Sequence, residues 1–88
     1  MRSRRTQEFR ARFAKLPPSA RHQANEAYRL FRQDPFHPSL RFKAIDPADP
    51  TIYSARVGAH YRAVGTRKTD DLIVWYWIGS HAEYDKLG

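Results

Sequence analysis

The sequence predicts an α+β fold, with an N-terminal αα-hairpin packed on one face of a small, mainly antiparallel sheet. Apolar residues recur at helical spacing over the first third, and after Asp34-Pro35 the period falls to two. The chain then reaches an unbroken apolar run, Leu72-Ile73-Val74-Trp75-Tyr76-Trp77-Ile78, which reads as a strand buried on both faces. Helices followed by strands, rather than alternating with them, give two segregated layers. A chain of 88 residues suits one domain, 1–88, and leaves no room for a second core.

Each element has its own signal. Met1 to Arg5 is placed as a short edge strand. Thr6 is a good N-cap, with Glu8 placed to complement the helix N-terminus. Phe9, Phe13 and Leu16 then form the apolar stripe of a first helix, while Arg10, Arg12 and Lys15 lie off it. Pro17-Pro18 breaks the chain, and the second proline suits a first helical turn. Ala20, Ala24, Ala27 and Phe31 make the inner stripe of a second helix, which ends at Asp34 because a residue before proline avoids the α region. Residues 40–45 alternate apolar and basic as a half-buried strand, and 46–50 form a loop by composition. Strands at 52–57 and 61–66 are joined by Gly58-Ala59-His60 as a hairpin. Residues 67–71 are a polar turn into the buried strand, and 79–85 a polar exit carrying His81, Glu83, Tyr84 and Asp85.

The formal charge of +7 is uneven. Residues 1–43 hold eleven basic against three acidic side chains, or +8, whereas 44–88 hold five against six, or −1. Such an excess implies a polyanionic partner. Arginine predominates, and its planar fork suits phosphate better than a point charge does. With no cysteine there is neither a disulfide framework nor a thiolate metal site. His22 and His37 have no spacing that suggests a metal ligand set. The N-terminus lacks a signal-peptide pattern and the apolar run is too short to cross a bilayer, so the expected location is the cytoplasm.

Four stretches, taken in order and spacing, are informative together. They are Leu-Phe-Arg-Gln-Asp-Pro-Phe-His-Pro-Ser-Leu-Arg-Phe-Lys at 30–43, Tyr-Ser-Ala-Arg-Val at 53–57, Tyr-Arg-Ala-Val at 61–64 and Trp-Ile-Gly-Ser-His-Ala-Glu-Tyr-Asp-Lys-Leu at 77–87. In these the chain resembles the RelE/ParE superfamily of type II toxins, closest to the RelE- and HigB-like mRNA interferases. The resemblance implies a metal-independent endoribonuclease that needs no cofactor. It would cleave messenger RNA held by the ribosome, so inhibiting translation, and be neutralised by a cognate acidic antitoxin. A gyrase poison of ParE type, which needs no acid–base residues, is the alternative; a catalytically inactive RNA- or antitoxin-binding module is another.

Strand alternation places Ser54 and Arg56 on one face, opposite Tyr53, Ala55 and Val57. Arg62 can share that face from the neighbouring strand, with His81 and Tyr84 arriving from the end of the last one. Arg62, Arg56, His81 and Tyr84 are therefore the candidate catalytic residues, and Lys43, Arg41 and Arg56 the candidate RNA-binding ones. For attack of a ribose 2′-hydroxyl on the adjacent phosphate, the guanidiniums would stabilise the phosphorane. An imidazole can serve as acid or base near neutrality. Tyr84 would orient or protonate the leaving group, or stack on a base. Some RelE-like enzymes carry lysines where this sequence has Ser54 and Arg56, and a guanidinium is a poor base. The base stays open among His81, Glu83 and His60, in that order. Trp75 and Trp77 read as core.

Overall fold

The computed structural model describes residues 1–87; Gly88 lies outside them. Strand β1 (Arg2–Arg5) leads into helices α1 (Gln7–Ala14) and α2 (Pro18–Gln33), then a 3₁₀ turn at Pro38–Leu40. Strands β2 (Lys43–Asp46), β3 (Asp49–Val57), β4 (Tyr61–Thr69) and β5 (Leu72–Ser80) follow, and α3 (His81–Asp85) closes the described chain. The five strands form one sheet in the order β1-β5-β4-β3-β2. Of its pairings, β1–β5 is parallel and the rest are antiparallel. The α+β fold read from the sequence is the fold observed.

Helix α1 starts where expected, because the Thr6 hydroxyl accepts the N–H of Phe9. The Thr6 N–H also donates to the Trp75 carbonyl at 2.9 Å, which ties the helix start to β5 just where β1 ends. Helix α1 packs chiefly on β5, and α2 lies over β3. The small Ala20 and Ala24 let α2 approach closely, and Phe31 makes edge contacts with Phe42 and Trp75 at centroid distances of 5.1 and 5.5 Å. Ala55, Val57, Ala63, Ile73, Trp75 and Ile78 complete this core from the sheet.

Five readings need correction. Residues 40–45 are not one strand: Leu40 ends the 3₁₀ turn and Arg41 takes a left-handed conformation (φ 47°), so β2 begins only at Lys43. The loop at 46–50 shrinks to Pro47-Ala48, since Asp46 and Asp49 pair across it and their carboxylates cap the turn through Ala48 and Thr51. β4 likewise runs on to Thr69, leaving Asp70-Asp71 as the turn. The apolar run is not buried on both faces: Ile73, Trp75 and Ile78 meet the helices, while Leu72, Val74 and Tyr76 remain half-exposed. Finally, 79–85 is not a loop. Ser80 and Glu83 form a reciprocal capping box that starts α3.

A register slip in β5 divides its two tryptophans between the faces of the sheet. Gly65 pairs with Trp75 and Val64 with Trp77, so Tyr76 is an extra residue. Without it, two tryptophans two positions apart would share a face. With it, Trp75 joins the helix-side core, while Trp77 pairs with Val64, next along β4 from the core residue Ala63 and so on the opposite face.

Candidate active site on the open sheet face

The face opposite α2 is built in rows by strand register. One row is Lys43, Ser54, Val64 and Trp77; the next is Arg56, Arg62 and Gly79. The register thus places the backbone positions of both arginines on one side of the sheet, on adjacent strands. Helix α3, turned back by its capping box, delivers Tyr84 above them.

Arg62 is the best-held side chain there. Its Nη1 donates to the Ser54 hydroxyl at 3.1 Å, and its guanidinium lies 5.2 Å from the centroid of the Tyr84 ring. Ser54 is fully buried, so this anchor sits in the floor of the face and does not compete with water. A cation over an aromatic face contributes about 0.5–1 kcal/mol at a partly exposed site. The guanidinium is left with further N–H donors in a fixed plane. That is a suitable cradle for the oxygens of a phosphate.

The other candidates are placed less uniformly. Arg56 faces Arg62 by backbone register, but its Nε donates to the Gly58 carbonyl at 3.1 Å. Lys43 is exposed beside Ser54. Arg41 is not on the sheet; with Arg56 it lines a groove along α2, near His22 and Arg29. The His81 N–H donates to the His60 carbonyl at 2.9 Å, so the hairpin turn and the start of α3 meet at the edge of the site. Glu83 is engaged as the cap of α3: its carboxylate accepts the Ser80 N–H at 3.0 Å. That N–H, and then the Ser80 hydroxyl, hold the carboxyl below its ordinary range, with Arg12 and Lys86 adding in the same direction. Glu83 is therefore a weaker base than a free carboxylate.

Two residues gain roles that sequence reasoning misses. Ser54 is legible as a neighbour of Arg56 by alternation, but only the β3–β4 register reveals that it anchors Arg62. Trp77 reads as core. It is buried, yet its ring packs 6.3 Å from Tyr84, and Gly79 is required beneath it, since a Cβ there would lie 2.7 Å from the indole. Among the described residues no cluster of three or more potential ligands could hold a metal ion.

Comparison with known proteins identifies the fold as that of a RelE/ParE-type toxin of a toxin–antitoxin system. The model of the ParE-like toxin domain matches residues 18–86, and the chain belongs to that family. It is similar to a chain of the toxin–antitoxin complex RelBE2 from Mycobacterium tuberculosis, at 25% identity and TM-score 0.60, covering 91% of this chain and 90% of that one. It shares its fold with a copper-bound mutant toxin from Helicobacter pylori, at 16% identity and TM-score 0.61, covering 94% and 97% of the two chains. No curated protein matches the sequence. No helix among the described residues is long and apolar enough to cross a membrane.

Proposed function

We propose that this toxin is a ribosome-dependent endoribonuclease that cleaves messenger RNA by attack of a ribose 2′-hydroxyl on the adjacent phosphate. The observation that carries the reading is Arg62, fixed between buried Ser54 and the Tyr84 ring on an otherwise open face. Its free donors stabilise the phosphorane, with Arg56 and Lys43 holding flanking phosphates. His81 moves the proton at one end of the displacement, and the Tyr84 phenol serves the leaving 5′-oxygen. Glu83 and His60 rank behind His81 as base. With no strong base built in, orientation by the ribosome supplies much of the rate; in favourable cases this is worth about 7–11 kcal/mol. Transcript mapping after brief induction tests the reading: discrete cuts in translated frames support it, and intact transcripts overturn it.

The same reading includes an acidic antitoxin partner, supported by the +8 excess of residues 1–43 and by similarity to a chain of a toxin–antitoxin complex. Co-expression with an adjacent acidic reading frame should restore growth and yield a co-purifying complex. A gyrase-poisoning activity is the second reading, favoured by one observation, the capping of Glu83, which weakens one candidate base. DNA breakage with intact transcripts would select it.

A further inference from the structure

Tyr84 and Arg62 are the inner half of a longer stack. The Arg12 guanidinium, on α1, lies 5.7 Å from the centroid of the Trp77 ring. Trp77 lies 6.3 Å from Tyr84, and Tyr84 lies 5.2 Å from the Arg62 guanidinium. The order is cation, indole, phenol, cation, and it connects α1, β5, α3 and β4 across the end of the sheet. Arg12 itself is steadied by Glu8 one turn earlier, at 3.5 Å. Helix α1 can reach the open face because it stands at the β5 edge beyond β1. Phe9 faces the core from one stripe of the helix, while Glu8, Arg12 and Lys15 line a hollow against α3 that Glu83 also lines.

We propose that Arg12 is a positioning residue for the cleavage reaction, acting through Trp77 on Tyr84 and Arg62; this rests on the nuclease reading above. Helix α3 is only five residues long, and none of its residues is buried. Its capping box fixes where it starts, but a helix so short holds little rigidity of its own. The Tyr84 ring therefore takes its orientation from the aromatic surface it lies against. Trp77 is locked from below by Gly79 and from outside by Arg12. Removing Arg12 frees the outer face of the indole and lets Tyr84 and Arg62 wander from the geometry that cleavage needs. A loss of orientation of this kind lowers turnover with little change in binding.

The test separates this from a simple phosphate contact. Arg12→Gln should lower kcat about 5- to 20-fold on ribosome-bound transcript, with KM nearly unchanged. Arg12→Lys, which keeps a cation over the indole, should recover much of the loss. In a Tyr84→Ala background Arg12→Gln should cost nothing further, because the stack is already broken. The proton shifts of the Trp77 and Tyr84 rings should move in Arg12→Gln and stay put in Arg10→Gln, the exposed control on the same helix. A rise in KM at constant kcat overturns the proposal and makes Arg12 an RNA contact. So does an undiminished effect in the Tyr84→Ala background, or an unmoved Tyr84 ring. Intact transcripts with the unaltered toxin, alongside the expected ring shifts, would instead overturn the nuclease reading and leave the stack as a packing feature only.

Discussion

The two faces of this sheet use the same strands for opposite purposes. On the helix side Ala55, Val57, Ala63, Ile73, Trp75 and Ile78 are closed off by Phe9, Ala20, Ala24 and Phe31, with Arg5 at the rim over the Tyr28 ring. On the open side the same β3 and β4 present Ser54, Arg56, Arg62 and Val64, with Trp77 and Tyr84 beside them. The first face is held by burial of apolar area. The second is held by directional contacts, a hydroxyl to a guanidinium and a ring to a cation. The two sets of residues alternate one position apart along β3 and β4.

Substitutions can break or sharpen that separation. The largest effect on folding should come from Trp75→Ala, which removes a ring in contact with Phe31 and Phe42 and should cost about 3–5 kcal/mol in denaturant unfolding. Trp77→Ala, with partly exposed partners in Tyr84 and Arg12, should cost less stability than Trp75→Ala while reducing cleavage more than its stability loss explains. Equal unfolding costs for the two would mean that the bulge at Tyr76 does not divide the faces. Arg62→Ala should leave the melting temperature nearly unchanged and lower cleavage about 10²–10³-fold. His81→Ala and Tyr84→Phe should each lower it by about 10²-fold if they handle protons. Full growth arrest by both would move the gyrase reading ahead.

The smallest effect belongs to the cap of α3. Ser80→Ala should destabilise this helix by about 1 kcal/mol, read as faster amide exchange at residues 82–86. The pH dependence has a defined sign. The folded Glu83 carboxyl is held below its unfolded value by Ser80, so its contribution is present above the unfolded carboxylate pKa. It fades as pH falls through the lowered folded value. Protection of the amides at 82–86, taken relative to their intrinsic exchange rates, should therefore fall in acid for the wild type and not for Glu83→Gln.

Most of the fold is legible because its signals are local. Thr6 as a cap, the Pro17-Pro18 break, the alanine stripe of α2 and the Gly58 turn each specify their own neighbourhood, and each is found in place. Arg41 misleads because its alternation with Leu40, Phe42 and Lys43 mimics a strand, whereas its left-handed backbone is set by the 3₁₀ turn before it. Helix α3 has a readable signal, Ser80 followed three residues later by Glu83, hidden by the polar composition around it. The split of Trp75 from Trp77 has none, because a bulge depends on which residues of β4 lie opposite. The convergence of Arg62 with Ser54 and Tyr84 likewise needs the register of three elements.

The parallel pairing of β1 with β5 has a consequence for when this molecule becomes whole. Arg2 lies beside Leu72, so the first strand must await the last before it has a partner. Closing so long a loop is slow beside the short β2–β3 and β3–β4 hairpins. Arg12 and Trp77 obey the same order, since one precedes β2, β3 and β4 in the chain and the other follows them. A nascent chain stopped within β4 can hold Ser54 and Arg62, but it has no Trp77, no Tyr84 and no docking edge for α1. The pairing of Ser54 with Arg62 therefore precedes, in the order of synthesis, the completed stack of Arg12, Trp77, Tyr84 and Arg62.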